Sequence, residues 1–370
     1  MKLDLTFNMK ISIFSKPFLQ TCKSESFMLR KSLTAVTLAI IFFLPQVNAQ
    51  TVIGKYAGEF LSIGVGGRPL GMGGAYVAIS NDVTAGYYNP AGLAQLNYPE
   101  ISLMHDSRYA NLINYDYAGF AIPFNNDMSF GLSIMRLGID GIPDTRNAAV
   151  GNIVDPTDPN FRLNTDLITS FSDQDWAFYL TFAKKQTEDF SWGANVKIIY
   201  RSIAEYSAYG IGFDAGAMYK VFDKFTVGAN IQDVTTTIVA WSTGLNELIT
   251  PTLKVGGAYQ VNFLGGIITP ALDVDIRFEN RKYAAEAYIG PVSFDGHFGF
   301  EYNFRNIFAV RAGYNDVKQF TVGAGIKLPK LNIDYSFAHF NGSTDDYLGD
   351  THRISLMLTL EEPRFLRTGL

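Results

Sequence analysis

The sequence predicts an all-β fold, a 14-stranded antiparallel barrel that crosses a membrane, with an N-terminal plug inside its lumen. Three observations carry this reading. From Pro99 onward, hydropathy alternates with a period of two in segments of about ten to fifteen residues. The connections between those segments alternate between short and long. Ahead of them lies a glycine-rich stretch without any period, Gly66 to Ala94.

The alternation is plain at the C-terminus, where Ile354, Leu356, Leu358 and Leu360 interleave with Arg353, Ser355, Met357 and Thr359. Leu272 to Glu279 and Trp192 to Ile199 read the same way. Fourteen such segments fall near 100–109, 114–124, 127–137, 173–185, 189–203, 208–222, 224–234, 250–262, 267–279, 292–304, 306–315, 318–328, 331–341 and 350–360. Their length suits tilted membrane-crossing strands better than sandwich strands.

Short connections sit at Asn125-Asn126, Gln186 to Glu188, Asp223, Leu264 to Gly266, Arg305 and Pro329-Lys330. The long ones are 138–172, 235–249, 280–291 and 342–349, always at the other end. Outer-membrane barrels show this asymmetry, with short turns on the periplasmic side. The plug is then expected to enter from the periplasm, with both chain ends on that side.

The apolar set ends in aromatics, among them Trp176, Trp192, Tyr259, Phe263 and Tyr314, as interfacial girdles do. The polar set carries both signs of charge and is expected in the lumen. It holds Lys197, Arg201, Asp214, Lys220, Lys254, Asp273, Asp275, Arg277, Glu279, Glu301, Arg311, Asp334 and Arg353. Charge on the lipid face would cost a few kcal/mol at the midplane. These groups either brace the interior through ion pairs or line a permeation path. A soluble barrel with an apolar interior is excluded, because fourteen strands leave it too wide to fill.

The stretch Gly66 to Ala94 holds seven glycines and two prolines. Glycine permits close backbone approach, and Asn89-Pro90 fixes a bend. Composition alone leaves two readings, a lumenal plug or a mobile N-terminal loop.

The leading residues read as an export signal. Arg30 and Lys31 precede an apolar run from Leu33 to Leu44, followed by Val47-Asn48-Ala49. Residues 28–49 are the expected signal peptide, with Met28 as the true start and residues 1–27 an upstream extension; the alternative is an unusually long n-region. Residues 50–98 then form a periplasmic tail and the plug, and 99–370 the barrel. Cleavage removes the single cysteine, Cys22, and with it any thiolate chemistry. It also leaves 24 Lys and Arg against 33 Asp and Glu, an acidic balance that argues against nucleic acid.

Catalytic signals are weak. His105, His297, His339 and His352 are scattered without metal-ligand spacing, and His105 and His297 are expected at the lumen or its rim. No nucleophile elbow or phosphate loop is present, so neither an enzyme, a metal site nor a cofactor is expected. The acidic connection 138–172, with Asp140, Asp144, Asp155, Asp158 and Asp166, reads as a solvated loop or a partner contact rather than a calcium site.

The plug residues Gly66, Arg68, Gly71, Met72, Gly73, Gly74, Ala75, Ala78, Asp82, Ala85, Asn89, Pro90, Ala91, Gly92, Leu93 and Ala94 resemble the opening of PorV/PorQ-family outer-membrane proteins. More distantly, they resemble the hatch of FadL-type channels, which shares the Asn-Pro-Ala element. A second resemblance to PorV/PorQ runs from Phe300-Glu301-Tyr302 through Arg311 to Tyr314 and Ile333 to Tyr335, and on to Leu348 to Leu356. The likeness implies a FadL-like barrel in the outer membrane of a Gram-negative cell, in contact with its lipids. It further implies a role in a type IX-like secretion system, with the translocon and cargo proteins as partners. The FadL likeness implies an alternative, passive uptake of a hydrophobic small molecule gated at Asn89-Pro90. Arg68 is expected to pair with a wall carboxylate, which the sequence does not identify.

Overall fold

The computed structural model describes residues 51–52, 58–109, 112–151, 157–279, 281, 284–340 and 350–367. The expected leader (1–49), Asp155 and the connection 342–349 lie outside them.

Fourteen spans form the wall among the described residues. The first four are β1 Glu100–Arg108, β2 Ile113–Phe124, β3 Met128–Asp144 and β4 Thr169–Lys185. Then come β5 Phe190–Ile203 and β6 Tyr206–Phe222. Two spans are interrupted: β7 is Phe225–Gln232 with Thr237–Trp241, and β8 is Asn246–Ile249, Thr252–Tyr259 and Val261–Phe263. The rest are β9 Gly266–Arg277, β10 Val292–Phe304, β11 Phe308–Tyr314, β12 Gln319–Leu328, β13 Leu331–Phe340 and β14 Thr351–Thr359. Each pairs antiparallel with its sequence neighbours. β14 returns to β1, with His352 opposite Ser107 and Thr359 opposite Glu100, so the sheet closes without an edge.

The spans overrun their expected ends at the long-loop rim. Residues 138–144 and 169–172 extend β3 and β4 instead of forming loop. Residues 235–249, expected as a connection, are mostly strand: β7 and β8 resume beyond a kink and meet at the turn 242–245. The kink escaped the periodicity because Asp233 to Thr236 does not alternate. There Asp233 and Thr236 take positive φ of 54° and 60°, and the Val234 amide reaches back to the Phe213 carbonyl at 2.8 Å.

Period two decides which face each side chain meets. Outward residues such as Leu103, Phe120, Phe130, Leu180, Ile198, Phe298, Val310, Phe320 and Ile354 are 39–56% exposed. Inward charges are sealed: Asp106, Asp175, Lys197, Asp214, Asp273 and Arg353 are at most 3% exposed. An apolar exterior around a charged interior inverts the soluble pattern and suits hydrocarbon outside.

The plug fills the lumen with little regular structure. It contains α1 Glu59–Ser62, α2 Gly67–Gly71, α3 Ala85–Tyr88 and a 3₁₀ turn Pro90–Gln95. Its path corrects one expectation. Gly58 lies against Ile249, and Phe60 lies under Arg201, both near the rim with the long connections. Leu96 to Pro99 lead to the turn end, where β1 begins. Residues 58–65 therefore lie inside the lumen at the long-loop end, not as a tail beneath the turns.

Close approach explains particular glycines in the wall. A Cβ at Gly193 would sit 2.7 Å from the Ala91 nitrogen, and one at Gly313 2.7 Å from the Met72 carbonyl oxygen. Gly73, facing Gly313, takes φ +65°, which few other residues tolerate. Gly257 in β8 faces outward instead and has only ordinary contacts, the nearest at 3.6 Å.

Gly193→Leu is expected to destabilise the folded barrel by about 1–3 kcal/mol or more through overpacking on the plug. Gly257→Ala in the same wall should be near neutral. Urea midpoints of the refolded protein check both; equal midpoints for G193L and wild type would show that the plug does not rest on this wall.

Candidate functional site at the plug–wall interface

Arg68, in α2, makes the most connected polar contact between plug and wall. Its Nε donates to Glu301 Oε2 at 2.9 Å and its Nη2 to Glu301 Oε1 at 3.0 Å, a two-pronged pair. Nη1 donates to the Tyr76 hydroxyl and to Asn81 Oδ1, each at 2.8 Å, and lies 3.5 Å from Asp82. On the wall, Glu301 of β10 stands opposite Arg311 of β11. Arg311 donates to Glu301 at 2.7 Å and to Asp334 of β13 at 2.6 Å. Two guanidinium groups and two carboxylates thus compensate each other, Glu301 and Arg311 buried and Arg68 about a quarter exposed.

A second set of contacts fixes the plug backbone. Asp273 Oδ2 accepts the amides of Tyr76 at 2.6 Å and Val77 at 2.8 Å. His297 Nδ1 donates to the Gly73 carbonyl at 2.9 Å, and Thr321 to the Gly71 carbonyl at 3.1 Å. Gly74, with φ +84°, packs beside the His297 ring. Met72 is fully buried against Gly299 and Gly313.

The Asn-Pro-Ala bend works through its asparagine. Asn89 Nδ2 donates to the carbonyls of Val77 at 2.9 Å and Ala217 at 3.1 Å, while Oδ1 accepts the Ala91 amide at 3.2 Å. Pro90 starts the 3₁₀ turn, where its missing N–H costs nothing. Gly92 packs against Ser80 and Ala85 within the plug. Asp82 caps the turn before α3, accepting the Thr84 amide at 2.9 Å.

The structure brings Arg68, Asp82, Glu301, Arg311 and Asp334 into one network, and sets Asp273 directly on the plug. The remaining lumenal charges pair within the wall. Asp275 meets Lys254 at 2.6 Å and Arg277 at 3.4 Å, and Arg353 meets Asp106 at 3.0 Å. Tyr76, Asn81 and Asp106 were not singled out by sequence. Their parity or plug position was legible, but their partners lie far away in the chain. His297 faces the lumen as expected. His105 is corrected: it shares the outward face with Ile101 and Leu103.

The lumen is divided by polarity. In the long-loop half, Tyr115, Met135, Tyr179, Ile199 and Val239 of the wall surround Phe60, Leu61, Tyr87 and Tyr88 of the plug. At the turn end, two cavities of about 420 and 430 Å³ are lined by groups such as Arg68, Asn81, Gln95 and Asn303. This arrangement holds a plug, and among the described residues it brings together no nucleophile–base pair.

Glu301→Gln is expected to cost about 3 kcal/mol or more, because it strips a buried partner from two guanidinium groups. Arg68→Met should cost less, since Arg311 still compensates Glu301, and the double variant should cost less than the sum. Urea unfolding of all three variants checks this; strict additivity would mean that the pair is not coupled.

The model of an uncharacterised protein family (UPF0164) matches residues 31–210. Among curated proteins, none matches the chain in sequence. Among solved structures, the P. putida toluene transporter TodX is similar with a TM-score of 0.55 and 13% identity, over 80% of this chain and 97% of that chain. The Ralstonia pickettii toluene transporter TbuX is similar with a TM-score of 0.52 and 13% identity, over 80% and 97%. A Pseudomonas aeruginosa FadL homologue gives a TM-score of 0.52 and 14% identity, over 80% and 98%. With the ring of fourteen spans, these likenesses establish the fold as an all-β closed antiparallel barrel of the FadL and TodX type, with a helical N-terminal segment ahead of it.

Proposed function

We propose that this protein is an outer-membrane barrel that admits a hydrophobic small molecule into its lumen from the long-loop end. The observation that carries this is the apolar half of the lumen. Inward positions of β2 to β7 hold Tyr115, Met135, Tyr179, Ile199, Ala208 and Val239, and the inward charges among them are compensated in pairs, Asp175 with Arg201 and Lys197 with Asp214. Plug side chains fill that space, Tyr87 and Tyr88 of α3 together with Phe60 and Leu61 of α1, a single turn of helix. A lumen lined this way excludes ions and favours an uncharged apolar solute. Two of the similar barrels are toluene transporters, which agrees with that chemistry.

A second reading, a component of a type IX-like secretion system that meets the translocon and its cargo, is favoured by a different observation. The plug is bonded to the wall on several sides, which leaves the rim as the free working surface. There Arg146 bridges Asp144 at 2.7 Å and Glu205 at 2.6 Å, bracing the start of the long connection. Its hydrogen bond draws the Glu205 carboxyl below the usual range. The PorV/PorQ resemblance of the plug and the C-terminal third supports the same reading.

Naphthalene binding to the refolded barrel, followed by its fluorescence, tests the first reading. Phe60→Ala should raise affinity by vacating the chamber, and Ile199→Trp should lower it about tenfold, near 1.4 kcal/mol. No saturable binding in any variant would remove the uptake reading. The surface and medium proteome of a deletion strain tests the second; an unchanged secretome would sink it.

A further inference from the structure

Three polar side chains break the apolar exterior at one place. His105, Asp116 and Arg136 lie on the outward faces of β1, β2 and β3, directly opposite one another across the ladders. Their side chains are 55%, 40% and 28% exposed. His105 Nδ1 lies 2.8 Å from Asp116 Oδ1, and Arg136 Nη1 lies 3.3 Å from Asp116 Oδ2. Arg136 Nε donates to Gln174 Oε1 at 2.8 Å. Its Nη2 has no bond to protein among the described residues.

The flanks locate this trio. The same cross-strand row continues through Trp176, Tyr200 and Tyr209 on one side. On the other it passes Ile354 to Tyr335, whose hydroxyl bonds His352 at 2.7 Å. Arg136 lies over the Trp176 ring, 5.7 Å from its centroid. One row nearer the turn end, the outward residues are Leu103, Ala118, Ile134 and Phe178. An aromatic row above an apolar one is an interfacial girdle.

We infer that the outward His105–Asp116–Arg136 cluster binds the phosphate of an outer-leaflet lipid headgroup. The inference rests on the membrane reading above but not on either proposed cargo. From Phe124 to Asp116 along β2 is roughly 26 Å of strand, about 20 Å of membrane depth at the usual tilt. That is shorter than the apolar band of about 25 Å found in such barrels. The cluster therefore sits at or just below the headgroup layer, where a fixed cation calls for an anion. Asp116 is shared between an imidazole and a guanidinium and supplies only part of it. The open edge of a planar guanidinium matches two phosphate oxygens at once. A protein partner would need a raised or concave surface, whereas this row is continuous with the residues that face lipid.

Native mass spectrometry of the refolded mature chain, released from detergent with diphosphoryl lipid A, tests the assignment. Wild type is expected to retain lipid A at least fivefold more than R136Q/H105N, with R136K in between because it keeps the charge but not the fork. Heat-modifiable gel mobility confirms that each variant is folded. Lys330→Gln, at the opposite end of the barrel, should retain lipid A as wild type does. Equal retention by wild type and R136Q/H105N overturns the inference. So does displacement of the lipid by 10 mM inorganic phosphate, roughly the concentration at which a simple anion site of weak affinity would fill.

Discussion

The structure depends on one constraint: a buried backbone must find a partner for every N–H and C=O. A plug that were one long helix would satisfy its own. This one is short turns joined by irregular chain, so the wall must supply what the backbone lacks. Ser355 meets the Gly67 amide, Asp273 the Tyr76 and Val77 amides, and Glu100 the Val83 amide. Thr321, Asn195 and Asn230 donate to the carbonyls of Gly71, Gly86 and Tyr88. Those residues come from β1, β5, β7, β9, β12 and β14, so part of the polar lining of the lumen is the complement of the plug's own backbone.

That view alters the meaning of the lumenal charges. Read as a wall alone, Asp273 and Glu301 are features of a permeation path. In place, each accepts hydrogen bonds from the plug, and the carboxylate is chosen because one acceptor group can take two donors. The ion pairs that do not reach the plug, such as Lys254–Asp275 and Arg353–Asp106, keep inward charge compensated at the remaining positions. Leaving such a group unpaired would be far more costly than replacing the pair with apolar residues. The network therefore resists piecemeal change more than it adds stability.

Much of the fold was legible because period two survives any loop length. Each of the fourteen segments appeared, and faces followed from parity. What was lost had physical causes. The β7 kink carries no alternation, so it read as loop although the strand resumes beyond it. Arg68 and Glu301 are 233 positions apart, and no periodicity links a plug residue to a wall residue. The direction of the plug was misread because short turns fix which rim is which, but not at which rim the chain first meets the lumen. Conversely, parity already placed His105 with Leu103, Asp116 with Phe120 and Arg136 with Ile134. Expecting His105 at the lumen or its rim overrode that signal.

The plug is not held evenly, and this decides where it can yield. From Gly67 to Tyr88, wall side chains bind the backbone at intervals of a few residues. α1 differs. Its Leu61 amide bonds within the plug to Gly58, and its Leu61 carbonyl accepts from Tyr87, also of the plug. Towards the wall it presents Phe60 and Leu61, with the Arg201 guanidinium 5.8 Å from the Phe60 ring and Asp233, Lys254 and Arg277 around the small cavity beside Leu61. Apolar contacts have no fixed direction, so another apolar body of similar size can replace them at little cost. Withdrawing the segment around Arg68 would instead strand buried charges. Motion that leaves the barrel intact must therefore begin at the long-loop end, with α1, and stop short of Arg68 unless something else compensates Glu301.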